Sequence, residues 1–362
     1  MLFSELFGLP PFRAVELTAQ IQRLLFIPGM LGAYGEALFP TSRISTLHAS
    51  FAKEDDKLAL IPTTERGSPL VELERRPQAL KAFTVKRLAK GSTVTADSMT
   101  GVLHLSEGMA VKEVMKEFAE RGALIRRDVE FTLEWMRFGA IMGRVLDADG
   151  TVLDDFWQSW GVSMAPWIEL DLANPVMSLS SLRSSIRSII RHARRMSKGG
   201  WIQNRTRYHA LCGEAFFNKL VTHPAIETLY LNYQRAIELG NEIEDAFPFG
   251  GIIWHDYQGD DDGVLAIADD EAHLFPVSGN EVFRQVYGPA EFEPWINLPG
   301  QDLYALTIPD RDRNAWIRWE GYTYPLFVCT RPEMLRRLRI GSAGGPEEGG
   351  EGDDEGGEGN GE

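Results

Sequence analysis

Cysteine is nearly absent from this chain. Cys212 and Cys329 are its only two in 362 residues. They stand far apart and form no Cys-x-x-Cys pair, which excludes a disulfide framework and a zinc knuckle and makes a reducing cytoplasm the expected setting. Long apolar runs are missing as well. None approaches the roughly 18 residues of a membrane-spanning helix. The opening Met1-Leu-Phe-Ser-Glu-Leu-Phe-Gly-Leu-Pro-Pro11 has no basic region and meets Glu5 and two prolines too early for a signal peptide. Positive charge is in deficit: 37 Lys and Arg face 52 Asp and Glu, for a net charge of −15. A protein that coats nucleic acid with a basic surface is therefore not expected. The chain also lacks Gly-x-Gly-x-x-Gly, P-loop, Gly-x-Ser-x-Gly and His-Glu-x-x-His signatures.

What is present is enough apolar material, 44% of residues, to bury a substantial core. The length suggests two intimately connected domains or one elaborated domain. The end differs from the rest. From Gly341 to Glu362 there are eight acids, ten glycines and no base, a composition that cannot bury apolar surface and reads as a solvated tail. It is either a solubilising end or a device whose like charge repels polyanions and neighbouring copies.

The first ~45 residues, with Pro10, Pro11, Pro28 and Pro40, read as an extended arm carrying a short helix near Glu16 to Phe26. Between Leu58 and Thr95, Leu70 to Arg75 and Lys81 to Leu88 alternate apolar with charged residues and predict a long two-stranded loop. Such a ribbon is marginal alone and should rest on another surface. From Ala110 to about Arg144, Val114, Phe118, Ile125, Val129, Leu133, Met136 and Ala140 recur at helical steps. They predict one long helix with a break at Gly122 left open, a cap region at Ser106 and a stop in the turn Asp147–Gly150. Val152 to Leu172 reads as strands anchored by Trp157, Trp160, Val162 and Trp167. A second helix starts near Ser178, with Leu182, Ile186, Ile189, Ile190 and Ala193 on one side and Arg183, Arg187, Arg191, Arg194 and Arg195 on the other. That basic stripe either meets phosphate or an acidic partner or is simply solvated. Arg313 to Ile340 reads as one long strand pattern with bulky groups on both alternations, so both faces should pack.

Several short stretches, in a fixed order, resemble the lambda-type major capsid proteins of tailed phages, the capsid protein E family. They are Glu134-Trp135 with Gly143 and Asp149-Gly150, Gly213-Glu-Ala-Phe-Phe-Asn-Lys-Leu220 with His223-Pro224, Phe249-Gly-Gly-Ile-Ile-Trp-His-Asp-Tyr-Gln-Gly259, Tyr324-Pro325-Leu326 and Arg331-Pro332. The match runs from about Leu58 to Ile340. The resemblance implies an α+β, Hong Kong 97-type fold: an N-terminal arm (1–51), an extended loop (52–98), a peripheral domain on a spine helix (99–172 and 312–340), an axial domain (173–311) and the acidic tail (341–362).

It also implies a structural role rather than catalysis, with no cofactor and no metal. The chain would self-assemble as pentamers and hexamers into an icosahedral shell around double-stranded DNA, in a virion made in a host cytoplasm. Portal, scaffold and decoration proteins are implied partners, and no membrane is. The loop would lie on the adjacent subunit through Glu72, Glu74, Arg75, Arg76, Lys81, Lys86 and Arg87, and Arg183, Arg187, Arg191, Arg194 and Arg195 would face phosphate or a partner. Two other readings stand beside it: a soluble cytoplasmic enzyme and a non-viral compartment shell of the same fold. For the enzyme, His255-Asp256 with Asp260, Asp261 and Asp262 lacks the calcium-loop spacing with its late glutamate. His223 with Cys212 has no third member. Asn204-Arg-Thr206 fits a glycosylation acceptor, without meaning in a cytoplasmic protein.

Overall fold

The computed structural model describes residues 29–54, 78–97, 107–197, 200–240, 246–259, 263, 265–277 and 282–341, with 15, 16 and 18. In chain order they form α1 (Met30–Ala33), β1 (Thr41–Arg43), β2 (His48–Glu54), β3 (Gln78–Thr84), β4 (Leu88–Thr95), α2 (Glu107–Met142), β5 (Arg144–Leu146), β6 (Val152–Asp155), α3 (Phe156–Trp160) and β7 (Trp167–Leu170). There follow α4 (Leu179–Met196), β8 (Arg207–Cys212), α5 (Glu214–Thr222), α6 (Glu227–Gly240), β9 (Ala246–Phe249), β10 (Ile252–Asp256), β11 (Glu271–Val277), β12 (Phe283–Tyr287), β13 (Tyr304–Pro309), β14 (Trp316–Thr323), β15 (Pro325–Cys329) and β16 (Arg336–Ile340).

The long helix α2 forms because one stripe of its sequence, from Val114 to Ala140, is apolar at three- and four-residue steps and buried. It runs unbroken for 36 residues, about 54 Å at 1.5 Å per residue. Gly122 is buried within it and makes no break. The helix stops at Gly143, whose φ of +83° only glycine adopts freely and whose missing Cβ leaves room for the Trp157 indole. The turn expected at Asp147–Gly150 joins β5 to β6: the Asp147 N–H donates to the Thr151 carbonyl at 2.8 Å and Gly150 sits at φ +84°.

The strands expected over Val152 to Leu172 need one correction. Asp155 caps a helical turn by accepting the Gln158 N–H at 3.0 Å, and Gly161 closes it in the left-handed region, so Phe156–Trp160 is helix. Of the expected anchors Trp157 is buried, with Phe156 beside it, and Trp160, Val162 and Trp167 are half-buried.

A second correction concerns the terminal stretch. Arg313 to Ile340 is three strands, each in a different sheet. β14 lies between β13 and β4, β15 pairs with β12, and β16 lies between β7 and β11 in a six-stranded sheet of order β7-β16-β11-β8-β10-β9. Pro325, with no N–H to give, stands where β14 hands over to β15. Nor are both faces of β14 packed throughout. Trp316 and Arg318 are exposed, and only from Glu320 onward are successive residues buried on both sides.

The apolar core divides in two. One cluster joins α2 to Phe283, Val286, Tyr304, Trp319 and Phe327. The other joins α4 and α5 to Leu170, Trp254 and Leu338. The division does not follow the boundaries at 172/173 and 311/312. Residues of β12 and β13 join the α2 cluster because those strands pair with β15 and β14, whereas Leu170 and Leu338 are drawn away by the pairing of β7 with β16. The expected loop 52–98 is likewise split, since all eight residues of β4 pair with β14 and belong to the body.

Candidate assembly surfaces

No residue of a single chain shows an assembly contact by itself, so the surfaces are built from what stays uncovered. The ribbon β2-β3 pairs His48 to Glu54 with Gln78 to Thr84. The partner of the Lys81 run is thus a segment that straddles the start of the expected loop at residue 52, while Leu70 to Arg75 lies outside the described residues. Phe83 and Ala49 turn inward, Phe83 meeting Phe51 and Phe156 at centroid distances of 6.1 and 5.8 Å. Leu80 points outward, 66% exposed, opposite the exposed Ala52.

The seven residues predicted for subunit contact separate accordingly. Glu72, Glu74, Arg75 and Arg76 lie outside the described residues, and Lys81 is exposed. Lys86 and Arg87 are engaged within the chain. Lys86 Nζ lies 3.1 Å from Asp154, whose carboxyl is pushed up because burial outweighs the lysine beside it. Arg87 lies 3.1 Å from Glu291 and over the Tyr322 ring.

The N-terminal segment is stitched to the body at separate points. Glu134, on the buried side of α2, accepts the Leu31 and Gly32 N–H groups at 2.5 and 3.0 Å, and Arg137 lies 3.2 Å from the same carboxylate. Thr18 exchanges hydrogen bonds with the backbone of Ala305. This capping role of Glu134 was invisible in the sequence, where it stood only as half of a Glu-Trp motif.

Helix α4 is capped by Ser178, which accepts the Ser181 N–H at 3.3 Å. Leu182, Ile186, Ile189 and Ala193 are buried, and Arg183, Arg187, Arg191, Arg194 and Arg195 are all exposed, as the periodicity required. Arg183 overlies the Phe249 ring at 5.8 Å.

The described residues considered for chemistry make contacts within the chain. His223 ends α5, its Nε2 3.0 Å from the Asn174 carbonyl and its Nδ1 accepting the Ala225 N–H. Cys212 is fully buried, its thiol pushed well up by that burial. His255 turns inward onto His209 and Tyr34, beside a cavity of about 730 Å³, while Asp260, Asp261 and Asp262 lie outside the described residues. Among the described residues no three His, Cys, Asp or Glu side chains converge as metal ligands.

The architecture and the sequence have known counterparts. The chain is 12% identical to a prophage capsid protein of E. coli CFT073 known from a crystal structure, with a TM-score of 0.50 over 91% of this chain and 99% of that one. The shared fold is the Hong Kong 97-type, an α+β capsid fold. In sequence it is 25% identical over 367 residues to the major capsid protein of Salmonella phage Felix O1, covering 92% of this chain and 98% of that protein. It is 28% identical over 142 residues to the major capsid protein of Pseudomonas phage KPP10, covering 35% and 40%. The model of the family "Phage major capsid protein E" matches residues 13–340, from the N-terminal segment through β16. That match spans most of the chain, and the chain belongs to the phage major capsid protein E family.

Proposed function

We propose that this chain is the shell subunit of a tailed phage, assembling as pentamers and hexamers into an icosahedral capsid around double-stranded DNA. The observation that carries the reading is the family match over residues 13–340. In a closed shell each subunit meets its neighbours through heterologous contacts that symmetry repeats. The ribbon β2-β3 and the segment that joins its two strands lie across the adjacent subunit, where Leu80 supplies apolar contact and Lys81, Glu72, Glu74, Arg75 and Arg76 charged contact. Lys86 and Arg87 anchor the ribbon to its own body instead. Each exposed pair contributes only ~0.2–1 kcal/mol, so repetition and buried apolar area hold the shell.

The two apolar clusters suggest revised domains, with β12 to β15 built around α2 and β7, β16 and β8 to β11 forming a second unit with α4 and α5. Portal, scaffold and decoration proteins are the expected partners within the virion, and the negative body lets DNA be packed without adhering to it.

Purification followed by negative-stain microscopy tests the reading. Capsomer rings or uniform hollow particles support it. A ~41 kDa monomer that stays monomeric in the presence of its companion assembly proteins overturns it.

A further inference from the structure

The five exposed arginines of α4 stand without a counter-charge: none is ion-paired among the described residues. Arg183, Arg187, Arg191 and Arg195 follow one another at four-residue steps, and Arg194 lies beside the last of them. Like charges at that spacing destabilise a helix, and an anion seated between them relieves the repulsion. Arg191 even turns its Nε back to the Arg187 carbonyl, 3.4 Å away. In a chain of net charge −15 this is a concentrated and unpaired positive surface.

The chain itself holds the matching anion. Eight acids and no base lie between Gly341 and Glu362. The point of departure is fixed, because the Gly341 N–H, just past the end of β16, donates to the Leu170 carbonyl of β7 at 2.9 Å. Leu170 and Leu172 share the apolar cluster of α4, and Asp171 is seven residues before the Ser178 cap, so exit and helix start are at most about 25 Å apart. The far end of α4 is tied to the same terminal stretch, with Arg331 Nη1 donating to the Ser197 carbonyl at 2.8 Å. Twenty-two residues reach up to about 70 Å, and α4 is about 27 Å long. Glycine at ten of those positions lets the backbone follow a helix surface without side-chain clashes.

We propose that the acidic segment 341–362 is the ligand of the arginine stripe on α4, and that it masks the stripe from other polyanions. The contact belongs to the single subunit, so it stands or falls separately from shell assembly. Its strength is electrostatic and falls with salt, the screening length shrinking from about 10 Å at 0.1 M to about 3 Å at 1 M.

Full-length proteins test it, with a fluorescent duplex DNA of about 25 base pairs as the competing polyanion. Changing the eight acids to their amides is expected to tighten DNA binding at least about tenfold at 0.1 M salt. Adding Arg→Gln at all five stripe positions removes that gain, whereas Arg→Lys at the same positions retains it. A labelled peptide of sequence 341–362 is expected to bind the neutral-tail protein and not its Arg→Gln derivative. The proposal is overturned if the neutral tail leaves DNA affinity unchanged, if the gain survives Arg→Gln, or if the peptide binds both proteins alike. The five arginines are exposed, so an unchanged urea midpoint verifies that each variant is folded.

Discussion

His209 Nδ1 lies 2.9 Å from His255 Nε2, and the two rings are 8° from parallel with centroids 5.2 Å apart. A nitrogen separation shorter than any ring stacking distance means that the imidazoles meet edge to edge, in plane, sharing one proton. Whichever ring donates, the other must offer a lone pair, and Tyr34 Oη stands 3.2 and 3.0 Å from the same two nitrogens. A second proton would set two N–H groups against each other. Burial holds both imidazoles below their ordinary 6.5, with Arg207 adding to the effect on His209 and His209 to that on His255.

The sign of the pH effect follows. Folded values below the unfolded 6.5 mean that the unfolded chain takes up protons the folded chain refuses, so stability is full above pH 6.5 and falls as pH falls. His273, pushed down to about 4 by burial and by Arg337, acts in the same window. Each such histidine contributes a slope of up to about 1.4 kcal/mol per pH unit between about 6.5 and 4. Urea midpoints of the dispersed subunit should drop across that range, and His255→Gln, which keeps a donor on the same site, should flatten the drop. An unaltered slope in the variant would refute the assignment.

Much of this architecture was legible in the sequence, and the exceptions share a cause. The apolar stripes of α2 and α4 and the start of α4 near Ser178 are local patterns, and local patterns survive in the fold, while the cap region expected at Ser106 lies outside the described residues. Arg313 to Ile340 was misjudged because alternation tells that residues are extended but not which sheet receives them. Its three strands pair with β4, β12 and β11, between 38 and more than 200 residues away in the chain. Asp155 was missed because a cap followed by only five helical residues leaves no periodicity to detect. Glu134 and the pairing of His209 with His255 depend wholly on distant segments meeting.

Glu134 carries a prediction of its own. Its carboxylate satisfies two backbone N–H groups of the N-terminal segment, that of Leu31 buried and that of Gly32 half-buried, and the buried Arg137 guanidinium. Glu134→Ala leaves the buried Arg137 with only Glu130, 3.9 Å away, as counter-charge and should cost up to about 3–5 kcal/mol, whereas Glu134→Gln keeps one acceptor and should cost about 1–3 kcal/mol. Urea unfolding measures both. Protease cleavage near residues 29–43 should rise in the same order, and equal cleavage in all three proteins would show that the segment is held elsewhere.

Gly143 and Gly150 form a matched pair, at φ +83° and +84°. Alanine at either costs roughly 1–2 kcal/mol of backbone strain. Only at Gly143 does the new Cβ also run into the Trp157 indole, since nothing lies within 4 Å of it at Gly150. Gly143→Ala should therefore lower the unfolding free energy by more than Gly150→Ala does. Equal losses would mean that α3 moves aside freely.

The ribbon β2-β3 separates folding from assembly. Leu80 is 66% exposed and faces away from Phe83, so Leu80→Glu removes almost no intrachain contact and should change subunit stability by no more than about 0.5 kcal/mol. A two-stranded ribbon that sets an exposed leucine between two exposed alanines, Ala52 and Ala82, on its outer face nevertheless gains by being covered. Burying a leucine against a neighbour contributes ~1.5–3 kcal/mol, and placing a carboxylate there instead reverses the sign at every copy of the interface. Particle yield should therefore collapse for Leu80→Glu while the isolated subunit unfolds normally. Lys81→Glu, which alters one exposed charge, should reduce yield far less. Particles of normal yield from Leu80→Glu would remove the ribbon's outer face from the assembly contacts.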